Sequence, residues 1–155
     1  RWCPIPTPKS CSIAAAALRT AYYARDQVTA FYLAQEGLEY VRAKRDQNYL
    51  ATPARSWMDG LMTATAQACT APAVCNVDFP YFEHTVCITG ACPPLLVDQS
   101  TFLFNARLGL PSLYSRKLSL TTVNANEVNA QVTVSWVSAG INRSFTIYEN
   151  FFNWL

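Results

Sequence analysis

The stretch SIAAAALRTAYYARDQVTAFYLAQEGLEYVRAKRDQ, Ser12 to Gln47, contains no proline and a single glycine, Gly37. Ala17, Ala21, Ala24, Val28, Phe31, Gln35, Leu38 and Val41 recur at spacings of three and four, which defines one face of a helix. Arg19, Asp26, Thr29, Glu36, Lys44 and Arg45 fall largely away from that face. Ser12 is suited to be the N-cap, and Lys44 and Arg45 complement the negative end of the helix dipole. A helix over 12–48 would exceed about 50 Å at ~1.5 Å per residue, more than one small domain needs, so part of it is expected to project. The alanine-rich start predicts close packing, and the larger residues that follow are expected to carry the core.

Upstream, RWCPIPTPKSC holds three prolines and is expected to form an irregular leader over residues 1–11, tied by a Cys3–Cys11 loop. Downstream, the region 49–112 is loop-rich and punctuated by Pro53, Pro72, Pro80, Pro93, Pro94 and Pro111. Val86 with Ile88, and Leu95 to Val97, are candidates for short strands there.

The last third, 113–155, alternates with period two. Tyr114, Leu118 and Leu120 mark one strand, Val128, Ala130, Val132, Val134 and Trp136 a second, and Phe145 and Ile147 a third. Turns are expected at Asn124-Ala125-Asn126 and Ala139-Gly140. The apolar face of such an antiparallel meander needs a cover, and the helix stripe supplies one. The expected fold is therefore α+β, one domain over 12–155, with the helix packed on the sheet and a cysteine-containing loop region between. Phe151, Phe152, Trp154 and Leu155 form an aromatic tail expected to dock.

The chain has 155 residues, 51% of them hydrophobic and 14% charged, where a globular average is roughly 25% charged; this excludes intrinsic disorder. Its net charge is +2 without basic blocks, so nothing nominates nucleic acid or anionic lipid as a partner. The longest apolar run, Ile13 to Leu18, is far short of the ~18 to 20 residues of a membrane span. Arg1 and Trp2 do not open a signal peptide, which leads to the expectation of a mature or truncated ectodomain.

Six cysteines beside one histidine point to an oxidising compartment. Cys69, Cys75, Cys87 and Cys92 are read as disulfides, with Cys69–Cys75 and Cys87–Cys92 the preferred pairing of three; zinc is the other reading, although only Cys87 and Cys92 have ligand spacing. His84 is read as an exposed loop histidine. Its catalytic reading would add a Ser or Cys nucleophile and Asp78 or Glu83 as orienter, and no Gly-x-Ser-x-Gly elbow is present. Glu36 and Glu39 lack the histidine of a di-iron motif and are read, with Arg42, as a solvated ion-pair face. Neither a Walker loop nor a Gly-x-Gly-x-x-Gly fingerprint occurs. No catalytic, cofactor or metal residue is assigned. Tyr22, Tyr23, Phe31, Tyr32 and Tyr40 exceed what one buried stripe holds and form a candidate assembly interface.

The stretch ARDQVTAFYLAQEGLEYVRAKRDQN, Ala24 to Asn48, resembles the segment that follows the hydrophobic stalk in type IV pilin-like proteins, especially minor pilins and pseudopilins of candidate-phylum bacteria. Arg116-Lys117-Leu118, Asn126-Glu127-Val128, Val134-Ser135-Trp136 and Glu149 to Trp154 resemble that group in the same order, and Cys87 to Leu96 resembles its disulfide-bearing head segment. The start departs from the family, having RWCPIPTPKSC where a phenylalanine-led apolar stalk with a glutamate at its fifth position would stand; the family's functional glutamate therefore maps to no residue here. The resemblance implies a non-enzymatic, cofactor-free filament subunit at the cell surface, partnered by other pilin subunits, with a host-surface ligand as a further candidate partner. The alternative is a secreted adhesin or carbohydrate-binding module using Trp57, Tyr81 or Phe82; a small hydrolase centred on His84 is a third.

Overall fold

The computed structural model describes residues 8–63, 68–87 and 90–153, with side chains described from Ser12 onward. Within them the chain forms α1 (Pro8–Tyr49), β1 (Cys75–Asp78), β2 (Glu83–Val86), β3 (Pro94–Val97), β4 (Phe104–Asn105), β5 (Leu110–Asn124), β6 (Glu127–Ser138) and β7 (Ile141–Phe152). The architecture is α+β, with one N-terminal helix on an antiparallel sheet.

α1 starts four residues earlier than its expected N-cap, Ser12. A proline is tolerated in a first helical turn, where its missing N–H would have no intrahelical acceptor, so Pro8 opens the helix instead of delaying it. The irregular leader thus ends before Pro8 and not at Cys11. Forty-two residues give α1 a length of roughly 63 Å. Every side chain from Ser12 to Tyr22 is exposed, so the first part of the helix projects as its length predicts, and the close packing expected of its alanines is not found there.

The packed part uses a different face from the one the apolar spacing indicates. Asp26, Ala30, Leu33, Ala34, Gly37, Leu38, Tyr40, Val41 and Asn48 are buried, whereas Ala17, Ala21, Ala24, Val28, Phe31 and Gln35 are exposed. The reason is close approach. A Cβ added at Gly37 would stand 2.9 Å from a methyl of Val132, so Ala30, Ala34 and Gly37 let the helix approach the sheet closely while Leu33, Leu38, Tyr40 and Val41 fill the core beside them. Bulk is supplied from below by Leu118, Leu120, Val132, Val134 and Trp136, all buried in one core with Leu33, Tyr40 and Val41.

β5, β6 and β7 form the expected meander. The Ala125-Asn126 and Ala139-Gly140 loops each join strands paired up to the residues flanking them, Asn124 with Glu127 and Ser138 with Ile141. Positive φ at both Ala139 (51°) and Gly140 (76°) makes the second a type I′ turn, whose twist suits a hairpin. The sheet is larger than expected, because the loop-rich region also joins it. β1 pairs with β2 and, at Cys75, with Leu118 of β5; β3 pairs with β4 and with β5, which begins at Leu110. Seven strands therefore share one sheet. Phe151 of the aromatic tail is buried, beneath the guanidinium groups of Arg42 and Arg45; Trp154 and Leu155 lie outside the described residues.

One core position of β5 carries a charge. Arg116 occupies the inward phase between Tyr114 and Leu118 and is completely buried. Its guanidinium donates to the Leu33 carbonyl of α1 at 2.9 Å, to Glu36 at 3.1 Å and to the Val77 carbonyl of β1 at 2.6 Å. Helix, central strand and lateral strand are thereby fastened at one point. Burial lowers the Arg116 pKa, with Glu36 and Asp78 opposing that shift. Gly37 lies one turn beyond Leu33, and its missing side chain leaves room for the Arg116 chain, whose Cδ would be 3.4 Å from an added Cβ.

Candidate functional site

Two disulfides are formed in the middle of the chain, Cys69–Cys75 and Cys87–Cys92, with Cα separations of 5.4 and 4.9 Å. Both are buried and staple the segments entering β1 and β3. The proposed Cys3–Cys11 pair lies outside the described side chains.

His84 is not on an exposed loop. It sits in β2 opposite Val77, half-buried, with Nδ1 in a 2.8 Å hydrogen bond to the Tyr40 hydroxyl and its ring edge-on to Tyr40. Tyr40 was expected at an assembly interface; it is fully buried beneath Phe82 and faces inward, so it cannot meet a neighbouring subunit. Burial and the nearby carboxylates of Glu83 and Asp78 push its hydroxyl pKa upward. The proposed orienters of His84 are engaged elsewhere: Asp78 accepts from the backbone N–H groups of Tyr81 and Ala106, and Glu83 pairs with Arg107. A polar cavity of about 360 Å³ opens beside this group, lined by Tyr40, Lys44, Phe82, Glu83 and His84. The sulfurs of Cys69 and Cys75 and a ligand atom of His84 lie within 4.8 Å of one another.

The other four interface candidates stay on the outside of the helix to different degrees. Tyr22 and Tyr32 are exposed, Tyr32 by 63%, and Phe31 is exposed by 40% while its edge meets Phe145 of β7. Tyr23 is half-buried under the guanidinium of Arg143. Ile13, Leu18 and Val28 add apolar side chains to this part of α1, all more than half exposed. Asp26, expected in solvent, is instead buried; it bonds to Arg25 at 2.8 Å and accepts from Tyr114 and Ser138, anchoring the last turn before the helix leaves the sheet.

A third surface lies at the β4 end. Phe79, Pro80, Phe102, Leu103 and Phe104 surround a largely apolar cavity of about 540 Å³ with Glu36 on its rim. Phe102 is 77% exposed at a φ of 58°, held there by a turn in which Asp98 accepts from Ser100 and Thr101. Of the aromatics named for a binding module, Tyr81 reaches solvent, while Trp57 and Phe82 pack against the core. Phe102 and Leu103 give no signal in the sequence, because an isolated apolar pair between turns has no periodicity.

Among the described residues no helix is long and apolar enough to cross a membrane. The two disulfides are compatible with a secreted or extracellular protein. No protein-family model matches the chain, and no curated protein and no solved structure is significantly similar to it.

Proposed function

We propose that the chain is a structural, non-enzymatic subunit of an extracellular type IV pilus or pseudopilus, working by packing against other pilin subunits and displaying its disulfide-stapled strands at the cell surface. The observation that carries the reading is the helix: from Ser12 to Tyr22 it leaves the sheet with every side chain exposed, Ile13, Leu18 and Tyr22 among them. Apolar helix surface of this kind, continued by Val28, Phe31 and Tyr32, is what a helix-on-helix contact buries. The two disulfides suit a head exposed outside the cell. Immunogold labelling of sheared surface filaments with antibody to the purified chain tests this: label along filaments is expected, and label confined to soluble secreted material would overturn it.

The second reading, a secreted adhesin, is favoured by the exposed Phe79, Phe102 and Leu103 around the β4 cavity. Aromatic faces of this sort stack on sugar rings. Glycan-array binding lost in a Phe102→Ala variant, together with unlabelled filaments, is the result that would replace the first reading by this one.

A further inference from the structure

The Cys69–Cys75 disulfide and His84 stand at one place from three separate parts of the chain, and their surroundings are those of a metal site. Cys69 is fixed by its own backbone, its N–H donating to Leu61 and its carbonyl accepting from Leu120, both at 2.8 Å. Cys75 is fixed in β1 between Val86 and Leu118. His84 is fixed by β2 pairing and by the Tyr40 hydroxyl on Nδ1. None of these restraints is the sulfur–sulfur bond, so cleaving it leaves the Cα atoms of the cysteines held near their 5.4 Å separation.

A tetrahedral zinc ion with Zn–S of about 2.3 Å and Zn–N of about 2.0 Å needs ligand atoms some 3.5 to 3.8 Å apart. A ligand atom of His84 lies within 4.8 Å of both sulfurs; once the disulfide is cleaved, rotation about the cysteine side chains has to move the sulfurs apart to that spacing. The hydroxyl–imidazole contact is the outer contact that orients a ligating histidine. Two thiolates and a neutral imidazole also cancel the charge of a divalent ion, which a buried site requires. On the histidine side the site borders a polar cavity lined by Tyr40, Lys44, Phe82, Glu83 and His84.

We propose that the chain with Cys69–Cys75 reduced binds one zinc ion through Cys69, Cys75 and His84, with Tyr40 orienting the imidazole, and that oxidation to the disulfide and metal binding are alternative states of this site. A phosphine reductant supplies the two electrons: it is oxidised to the phosphine oxide with the oxygen of one water, and the two sulfurs become thiols. Zinc then displaces both thiol protons to solvent. The site is independent of the pilus reading.

The test is cobalt(II) and zinc(II) titration of the full chain, oxidised and after phosphine reduction, followed by electronic spectroscopy and by competition with a chromophoric chelator. The reduced chain is expected to take up one equivalent with thiolate-to-cobalt charge-transfer and tetrahedral ligand-field bands, and the oxidised chain none. His84→Ala should weaken zinc binding at least tenfold and alter the ligand-field bands; Tyr40→Phe should weaken it about 10- to 100-fold with the bands retained. A Cys87→Ser/Cys92→Ser variant should bind as the parent does. No band in the reduced chain, equal affinity in His84→Ala, or loss of binding in the Cys87/Cys92 variant would each overturn the assignment. A reduced chain that unfolds binds through cysteines alone, gives equal affinity in His84→Ala, and so also counts against it.

Discussion

Arg116 shows how one residue can brace three elements without being an asset in itself. Its hydrogen bonds to Leu33, Val77 and Glu36 answer a desolvation cost of the same order, so its contribution is chiefly volume and direction. Arg116→Ala, which leaves a cavity and an unpaired Val77 carbonyl, should cost about 2 to 4 kcal/mol in urea denaturation. Arg116→Met, which keeps the volume but leaves the same Val77 carbonyl without its donor, should cost less than Arg116→Ala by the cavity contribution, and still about 1 to 3 kcal/mol. Tyr40 gives a pH signature. Its pKa is raised in the folded chain above the ordinary 10.0, so above pH 10 the unfolded chain has lost a proton that the folded chain keeps. Stability therefore falls as pH rises past 10. Tyr40→Phe removes that term, and its denaturation midpoint should fall less steeply between pH 9 and 11 than the parent's.

At the scale of elements, α1 is two helices in one. The side chains of residues 12–22 are exposed, while much of 30–41 lies buried against the sheet. Local opening follows burial, so amides of 14–22 should exchange with solvent orders of magnitude faster than those of 33–41 by hydrogen-exchange mass spectrometry; uniform protection would show that the first part is packed. The same element shows what its sequence does and does not reveal. Helical existence and extent are legible, because 36 residues from Ser12 to Gln47 hold no breaker but Gly37. The buried face is not, because close approach selects Ala30, Ala34 and Gly37, which carry little hydropathy, and leaves Val28 and Phe31 outside. The strands divide in the same way. β6 reads at once, since Val128 to Trp136 alternate against one covered face. β1 does not, since Cys75, Asn76, Val77 and Asp78 are all buried and have no alternation to read.

For the whole molecule, the two cysteine pairs were legible from proximity in sequence, but their meeting with His84 was not: it depends on a strand pairing that brings β2 over β1 and on a tyrosine from the helix. The apolar excess of the composition also acquires a location. It lies in the core and also at the surface, where the projecting part of α1 and the β4 aromatic cluster are two of the places that carry exposed apolar side chains. The pilus proposal assigns the first surface to neighbouring subunits, and its most direct measurement is site-specific photo-cross-linking in the cells that make the protein. With a benzophenone amino acid in place of Tyr22 or Tyr32, irradiation should join the chain to a second pilin-like chain, its own or another, within surface filaments. Cells that export the protein and yield no such chain-to-chain product from either position would contradict the account.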